Sequence, residues 1–260
     1  MMLLVLWAAA PARADQSAVA TAAPGLSVNW AVDGAVTGGT LAAWLGTELA
    51  KESIAPSACR WCSAGGFDTS ARDALRWGDT AAAATTSDVM VLTVPAGVLI
   101  YDALASKVTN DFHPFAEDAL VIVESVAVAG ALTQAAKFLA ARQRPYAVYG
   151  PGTGSRDDHL SFWSSHASIA FSAAAAGGTV AMFRGYTGWP WVYGAGLAGA
   201  AATGYFRIAA DKHWLTDVLA GAAAGTGVGL GVTWLHRGGA TPTTLRVLPA
   251  PGGLTIAGRF

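Results

Sequence analysis

The chain has 16 lysines and arginines and 17 aspartates and glutamates in 260 residues, so it has few charges to place. Three short stretches hold residue types arranged for chemistry on an anion. The first runs from Lys137 to Pro145 and carries Lys137, Arg142 and Arg144. On a continuous helix Lys137 and Arg144 lie seven residues apart, nearly two turns, and project from one face, and Pro145 then stops the helix. Such a pair clamps a phosphate, the arginine by its planar fork and the lysine as a point charge, although basic residues also end helices favourably through the dipole. The second stretch, Ser161 to Ser168, leads into an apolar helix. Ser164 or Ser165 is placed to cap that helix, or with its free N–H groups to bind an anion, and His166 could give a proton to a leaving oxygen. The third stretch runs from Arg207 to Asp217. His213 and Asp217 are four apart and share a helical face, so the carboxylate can orient the imidazole and fix which nitrogen is free. That is the geometry of a nucleophile and its orienter, and equally that of an ordinary surface ion pair.

Helices must position these groups. Six stretches of about twenty residues read as helical: Val28 to Ala50, Asp88 to Ser106, Asp118 to Ala141, His166 to Phe183, Trp189 to Phe206 and Trp214 to His236. Asp33, Asp102, Glu124 and Asp217 interrupt them, and charges inside such segments face inward and serve function, or the segments lie outside lipid. The last three are crowded with alanine and glycine, which lets helices approach closely. Asp68 to Thr86 reads as a polar connection, and Tyr146 to Ser161 as a loop around Gly150-Pro151-Gly152. After His236, alternation at Leu245-Arg246-Val247-Leu248 and again through Leu254-Thr255-Ile256 suggests a small hairpin. Glu124 is expected to be paired in the core or to face the site cavity. His113 and His159 are read as solvent-side histidines.

Composition narrows the class. Hydrophobic residues make up 53% and charged residues 13%, about half the charged share of an ordinary soluble domain. With a net charge of −1 there is no basic field for nucleic acid, and an anion must be bound by a local cluster. Residues 1–14 read as a secretory signal, with an apolar run from Leu3 to Ala10 and Ala12-Arg13-Ala14 before Asp15. Cys59 and Cys62 are the two cysteines. Their spacing admits a redox pair or half a metal site, but in an oxidising compartment a local disulfide clip is the simplest reading.

Taken in order, the three stretches resemble the pattern of the type 2 phosphatidic acid phosphatase superfamily: Lys-x6-Arg-Pro, Pro-Ser-Gly-His and Ser-Arg-x5-His-x3-Asp. Lys137 to Arg144-Pro145 and Arg207 to His213 to Asp217 meet the spacings without a gap, while Trp163, Ser165 and Phe206 depart from the pattern. The resemblance implies an all-α bundle of five to six helices, able to cross a membrane, with the active site at helix ends and a β-like C-terminal tail. It implies that His213 attacks phosphorus, Asp217 orients it and His166 protonates the leaving group. Lys137, Arg144 and Arg207 then hold the phosphate oxygens, with contacts from Ser164 and Ser165, and no metal or cofactor is needed. The expected substrate is a phosphorylated lipid or a small-molecule phosphate ester, with a membrane as partner and no nucleic acid. A vanadium-dependent haloperoxidase is the enzymatic alternative, and an envelope protein with a decayed site the non-enzymatic one. The chain is expected to divide into the signal at 1–14, an N-terminal segment 15–87 with the cysteine clip, a helical core 88–236 and a tail 237–260. Its expected place is the bacterial cell envelope, at the inner membrane with the site facing the periplasm, or soluble in the periplasm.

Overall fold

The computed structural model describes residues 25–107, 113–238, 246–250 and 253–257. The signal at 1–14 and several tail residues lie outside the described residues. Six long helices form the body: α1 (Trp30–Leu49), α4 (Thr80–Lys107), α5 (His113–Ala140), α7 (Ser165–Phe183), α8 (Trp189–Ala209) and α9 (Leu215–Leu235). Three shorter ones, α2 (Lys51–Ile54), α3 (Gly66–Leu75) and α6 (Pro145–Val148), join them. The fold is all-α, as the residue pattern implies. Beyond the bundle, β1 (Arg246–Ala250) pairs antiparallel with β2 (Gly253–Ala257).

The stretch from Asp68 to Thr86 is not the plain connection expected. It contains most of α3 and the first turns of α4, whose Thr80–Ser87 run of small residues has no apolar periodicity to announce a helix. Helix α5 also starts five residues before the expected Asp118.

Local signals fix the helix ends. The Asn29 side chain accepts from Val32 N at 3.2 Å to start α1, and Ser164 accepts from Ala167 N at 3.4 Å to start α7. At α9 the Asp217 carboxylate caps the first turn by accepting from Trp214 N at 2.9 Å, satisfying one of the orphan donors of a helix start.

Helix α7 is the central helix, and nearly all its residues are buried among α4, α5, α8 and α9. Its composition explains why: a run of Ala and Gly lets neighbours approach to backbone distance, where dispersion between close-packed backbones replaces large side chains. The closest approach is to α9. Gly221, Gly225 and Gly229, spaced one turn apart, lie against the carbonyls of Ser164, Ser168 and Ser172. A Cβ would stand 2.6 Å from Ser164 O at Gly221 and 2.5 Å from Ser172 O at Gly229, with Gly225 tighter still.

Among the described residues four helices, α4, α5, α7 and α9, are long and apolar enough to cross a membrane. Helix α4 turns Val89, Leu92, Ile100 and Leu104 outward, an apolar outer face that lipid would satisfy.

Candidate active site

All three chemical stretches meet at one end of the bundle, at the C-terminal ends of α5 and α8 and the N-terminal ends of α7 and α9. Lys137 occupies the last turn of α5 and is buried. The helix does not continue to Arg144. It ends at Ala140, Ala141 takes a left-handed conformation with φ 43°, and an extended segment carries Arg142 and Arg144 back over the site. Lys137 and Arg144 therefore reach the site from two segments and not from one helical face.

Arg144 is buried, and each of its three side-chain nitrogens has a partner. Its Nε donates to Asp157 O at 2.8 Å, its Nη2 to the Asp157 carboxylate at 3.2 Å and its Nη1 to Lys212 O at 2.9 Å. The same Nη1 stands 3.2 Å from His213 Nε2. Burial would raise the Asp157 carboxyl, but Arg144, Lys137 and Lys51 outweigh it and hold it far below the usual carboxylate range.

His213 is 2% exposed. It lies just before α9, not on it, and its orienter is not Asp217. Nδ1 lies 2.8 Å from the carbonyl of Ser161, and Asp217 Oδ2 is 3.7 Å away, beyond hydrogen-bond distance. A carbonyl only accepts, so Nδ1 carries the hydrogen and Nε2 the lone pair. Burial, then the charges of Arg144, Arg207 and Lys137, push the imidazole well below its ordinary value, so His213 is neutral with its lone pair at Nε2.

Asp217 acts around this histidine instead. Its two oxygens take the Ser161 hydroxyl at 2.5 Å, Trp214 N at 2.9 Å and Arg142 Nη1 at 2.5 Å. It thus fixes the residue whose carbonyl holds the imidazole and the backbone that follows it. The physical reason is the helix start: at the third position of α9 a carboxylate is drawn to free N–H groups.

His166 lies on the first turn of α7, with Nε2 2.7 Å from Asp88 Oδ1. Asp88 Oδ1 also takes Arg207 Nη1 at 3.2 Å, while Ser87 Oγ takes the same nitrogen at 3.0 Å. Ser164 is buried as the helix cap, and Ser165 is half-buried at the first position of α7. Of the departures, Trp163 donates to Thr133 Oγ1 at 2.6 Å, and Phe206 packs edge-on against Trp77.

Several members of the site were given no role from sequence. Arg142, wholly buried, donates to both Asp217 and Asp68 Oδ2, the latter at 2.6 Å, and its guanidinium lies 3.8 Å from the ring centre of Trp61. Asp68 also accepts from Thr216 N at 2.9 Å and from the Thr216 hydroxyl at 2.7 Å. Trp61 sits inside the Cys59–Cys62 disulfide, and Trp61 N donates to Ala141 O at 3.4 Å. Asp68 and Asp88 are distant in sequence from the basic clusters, and no local pattern marks them; Asp157 was visible only as part of a charged loop. Glu124, by contrast, is far from this site, at the other end of the bundle beside His236.

A cavity of about 550 Å³ is lined in part by Arg72, Arg76, Tyr146, Tyr149 and Lys212, the residue before His213. An apolar groove of about 440 Å³ runs between α4 and α8, from Met90 and Gly199 to Tyr101 and Trp191.

Residues 118–239 match the family model described as the PAP2 superfamily, and this segment, a little under half of the chain, belongs to the type 2 phosphatidic acid phosphatase superfamily. No curated protein and no solved structure matches the chain.

Proposed function

We propose that the chain is a phosphatase that hydrolyses a phosphate monoester or a lipid (di)phosphate through a phosphohistidine on His213. Members of its superfamily are in general phosphoesterase hydrolases. The observation that carries the reading is the convergence of Lys137, Arg144 and Arg207 on a neutral His213 whose free nitrogen points among them. Phosphoryl transfer asks for positioning and charge neutralisation above all.

In the first step Nε2 of His213 attacks phosphorus, the three cations hold the equatorial oxygens and the P–O bond to the leaving group breaks. His166 gives that oxygen its proton. In the second step His166 takes a proton from water, the resulting hydroxide attacks phosphorus and the P–N bond breaks, releasing phosphate and restoring His213. Asp217 positions the nucleophile through Ser161 and Trp214. The apolar groove between α4 and α8 supports a lipid-borne phosphate, whose chain would lie along those helices. The outward apolar face of α4 and the four helices able to cross a membrane fit a membrane-associated enzyme, and export to the periplasmic side belongs to the same proposal.

The test is phosphate release from a chromogenic monoester and from phosphatidate in mixed micelles, compared with His213→Ala. Release by the native chain and none by the variant is expected. No release by a folded native chain on either substrate overturns the reading.

A further inference from the structure

At the end of the bundle remote from the phosphate site, three groups that could hold a metal ion meet with no part in the chemistry above. Asp33 comes from the first turn of α1, Glu124 from the middle of α5 and His236 from the residue that closes α9. Glu124 lies thirteen residues before Lys137 on α5, which is roughly 20 Å along the helix. One ligand atom from each residue lies within 4.8 Å of the others.

His236 Nδ1 lies 2.8 Å from the carbonyl of Val232. The carbonyl can only accept, so Nδ1 carries a hydrogen and Nε2 is the ring nitrogen left to face a ligand. That nitrogen faces Asp33 Oδ2 at 3.3 Å and Glu124 Oε2 at 3.7 Å. The Glu124 side chain is 8% exposed, and its Oε2, the atom turned to the imidazole, is buried without a hydrogen-bond partner. Two carboxylate oxygens turned to one imidazole nitrogen away from water are unfavourable unless positive charge stands among them.

We propose that Asp33, Glu124 and His236 bind one divalent first-row transition ion, with zinc the best fit. Nitrogen and oxygen ligands about 2.0–2.2 Å from a tetrahedral zinc stand roughly 3.3–3.6 Å from each other, close to the spacings about Nε2. An imidazole with two carboxylates suits zinc and its neighbours, whereas calcium and magnesium take oxygen ligands. The bond from Nδ1 to a backbone carbonyl is the support that a metal-bound histidine ordinarily has. The ion would tie three elements together where the chain already doubles back: Ser27 N donates to His236 O at 2.7 Å, and Leu26 bridges Arg237. It takes no part in phosphate hydrolysis, and the proposal stands or falls apart from that reading.

The experiment uses the full chain, free of any affinity tag, stripped with chelator and dialysed against Co²⁺ or Zn²⁺. Elemental analysis, the visible Co²⁺ spectrum and the thermal midpoint are read. One ion per chain is expected, with a raised midpoint, at least tenfold weaker binding in Glu124→Gln and His236→Gln, and native binding in His213→Gln, whose ring lies at the other end. The proposal is overturned if the stripped native chain takes up no ion, if its midpoint is indifferent to zinc, or if both ligand variants bind as the native chain does. Should the variants fail to fold, the native chain decides alone through its stoichiometry and its Co²⁺ spectrum, where a ligand set without nitrogen overturns the assignment. A proton on Nε2 in place of the ion would show as a midpoint that falls in Glu124→Gln and ignores metal in the native chain, which also overturns it.

Discussion

Arg144 Nη1 stands 3.2 Å from His213 Nε2, so the guanidinium faces the atom that would attack phosphorus. Bonds from its three nitrogens to Asp157 and to Lys212 O fix the plane of the fork. Lysine keeps the charge and loses the fork. For Arg144→Lys a fall in kcat/KM of about a hundredfold, near 2.7 kcal/mol of transition-state stabilisation, is expected. Steady-state kinetics check it, with thermal unfolding to show the fold intact.

His213 gives a pH dependence of stability whose sign can be worked out. In the folded chain it stays neutral far below the ordinary histidine value, while in the unfolded chain it takes a proton near pH ~6.5. Below that pH the unfolded state binds more protons, so the contribution is fully present above pH ~6.5 and is lost as pH falls. Between pH 7.5 and 5.0 the thermal midpoint of the native chain should drop further than that of His213→Gln. Parallel curves would remove His213 from the account.

Asp88 touches both His166 and Arg207, and its side chain is 60% exposed. Asp88 holds the His166 ring in place by its hydrogen bond, and it competes with phosphate for Arg207. Asp88→Asn is therefore expected to lower kcat about tenfold while inorganic phosphate inhibits more tightly. A fall in kcat with weaker phosphate inhibition would contradict this division of roles.

The Asp68–Arg142–Asp217 chain is buried throughout. Removing one partner of such a group leaves charge uncompensated out of water, at a cost of about 3–5 kcal/mol. Asp68→Ala should lose stability on that scale in denaturant unfolding, and part of its activity, although Asp68 touches none of the groups proposed to meet phosphate.

Gly225 faces the Ser168 backbone. Gly225→Ala must push α9 from α7, and strain of about 1–3 kcal/mol is the expected cost. Gly227→Ala, where a Cβ meets nothing within 4 Å, is the control and should be neutral or slightly stabilising through helix propensity.

The long helices were legible because each is a sustained apolar run, and α7 and α8 begin within a residue of where the pattern puts them. The start of α4 was not, since Thr80 to Thr86 is a run of small residues with no apolar periodicity. The three basic and histidine clusters could be read because each is local in sequence. What could not be read is their wiring. Spacing pairs His213 with Asp217, yet the helix start draws Asp217 to backbone N–H groups and leaves the imidazole to Ser161. Asp68, Asp88 and Trp61 reach the site across 74, 78 and 81 residues of chain, from His166 to Asp88 and from Arg142 to the other two.

Trp61 lies over Arg142, and Asp68 clasps it from the other side of the family boundary. Residues 118–239 are the recognisable part, but their buried arginine divides its counter-charge between Asp217, inside that stretch, and Asp68, outside it. The boundary that homology draws therefore cuts through a single electrical unit. A shortened chain that keeps every residue of the three chemical stretches would still inherit an arginine with half its neutralisation and without its nearer aromatic ring, so the unit of inheritance is longer than the unit of resemblance.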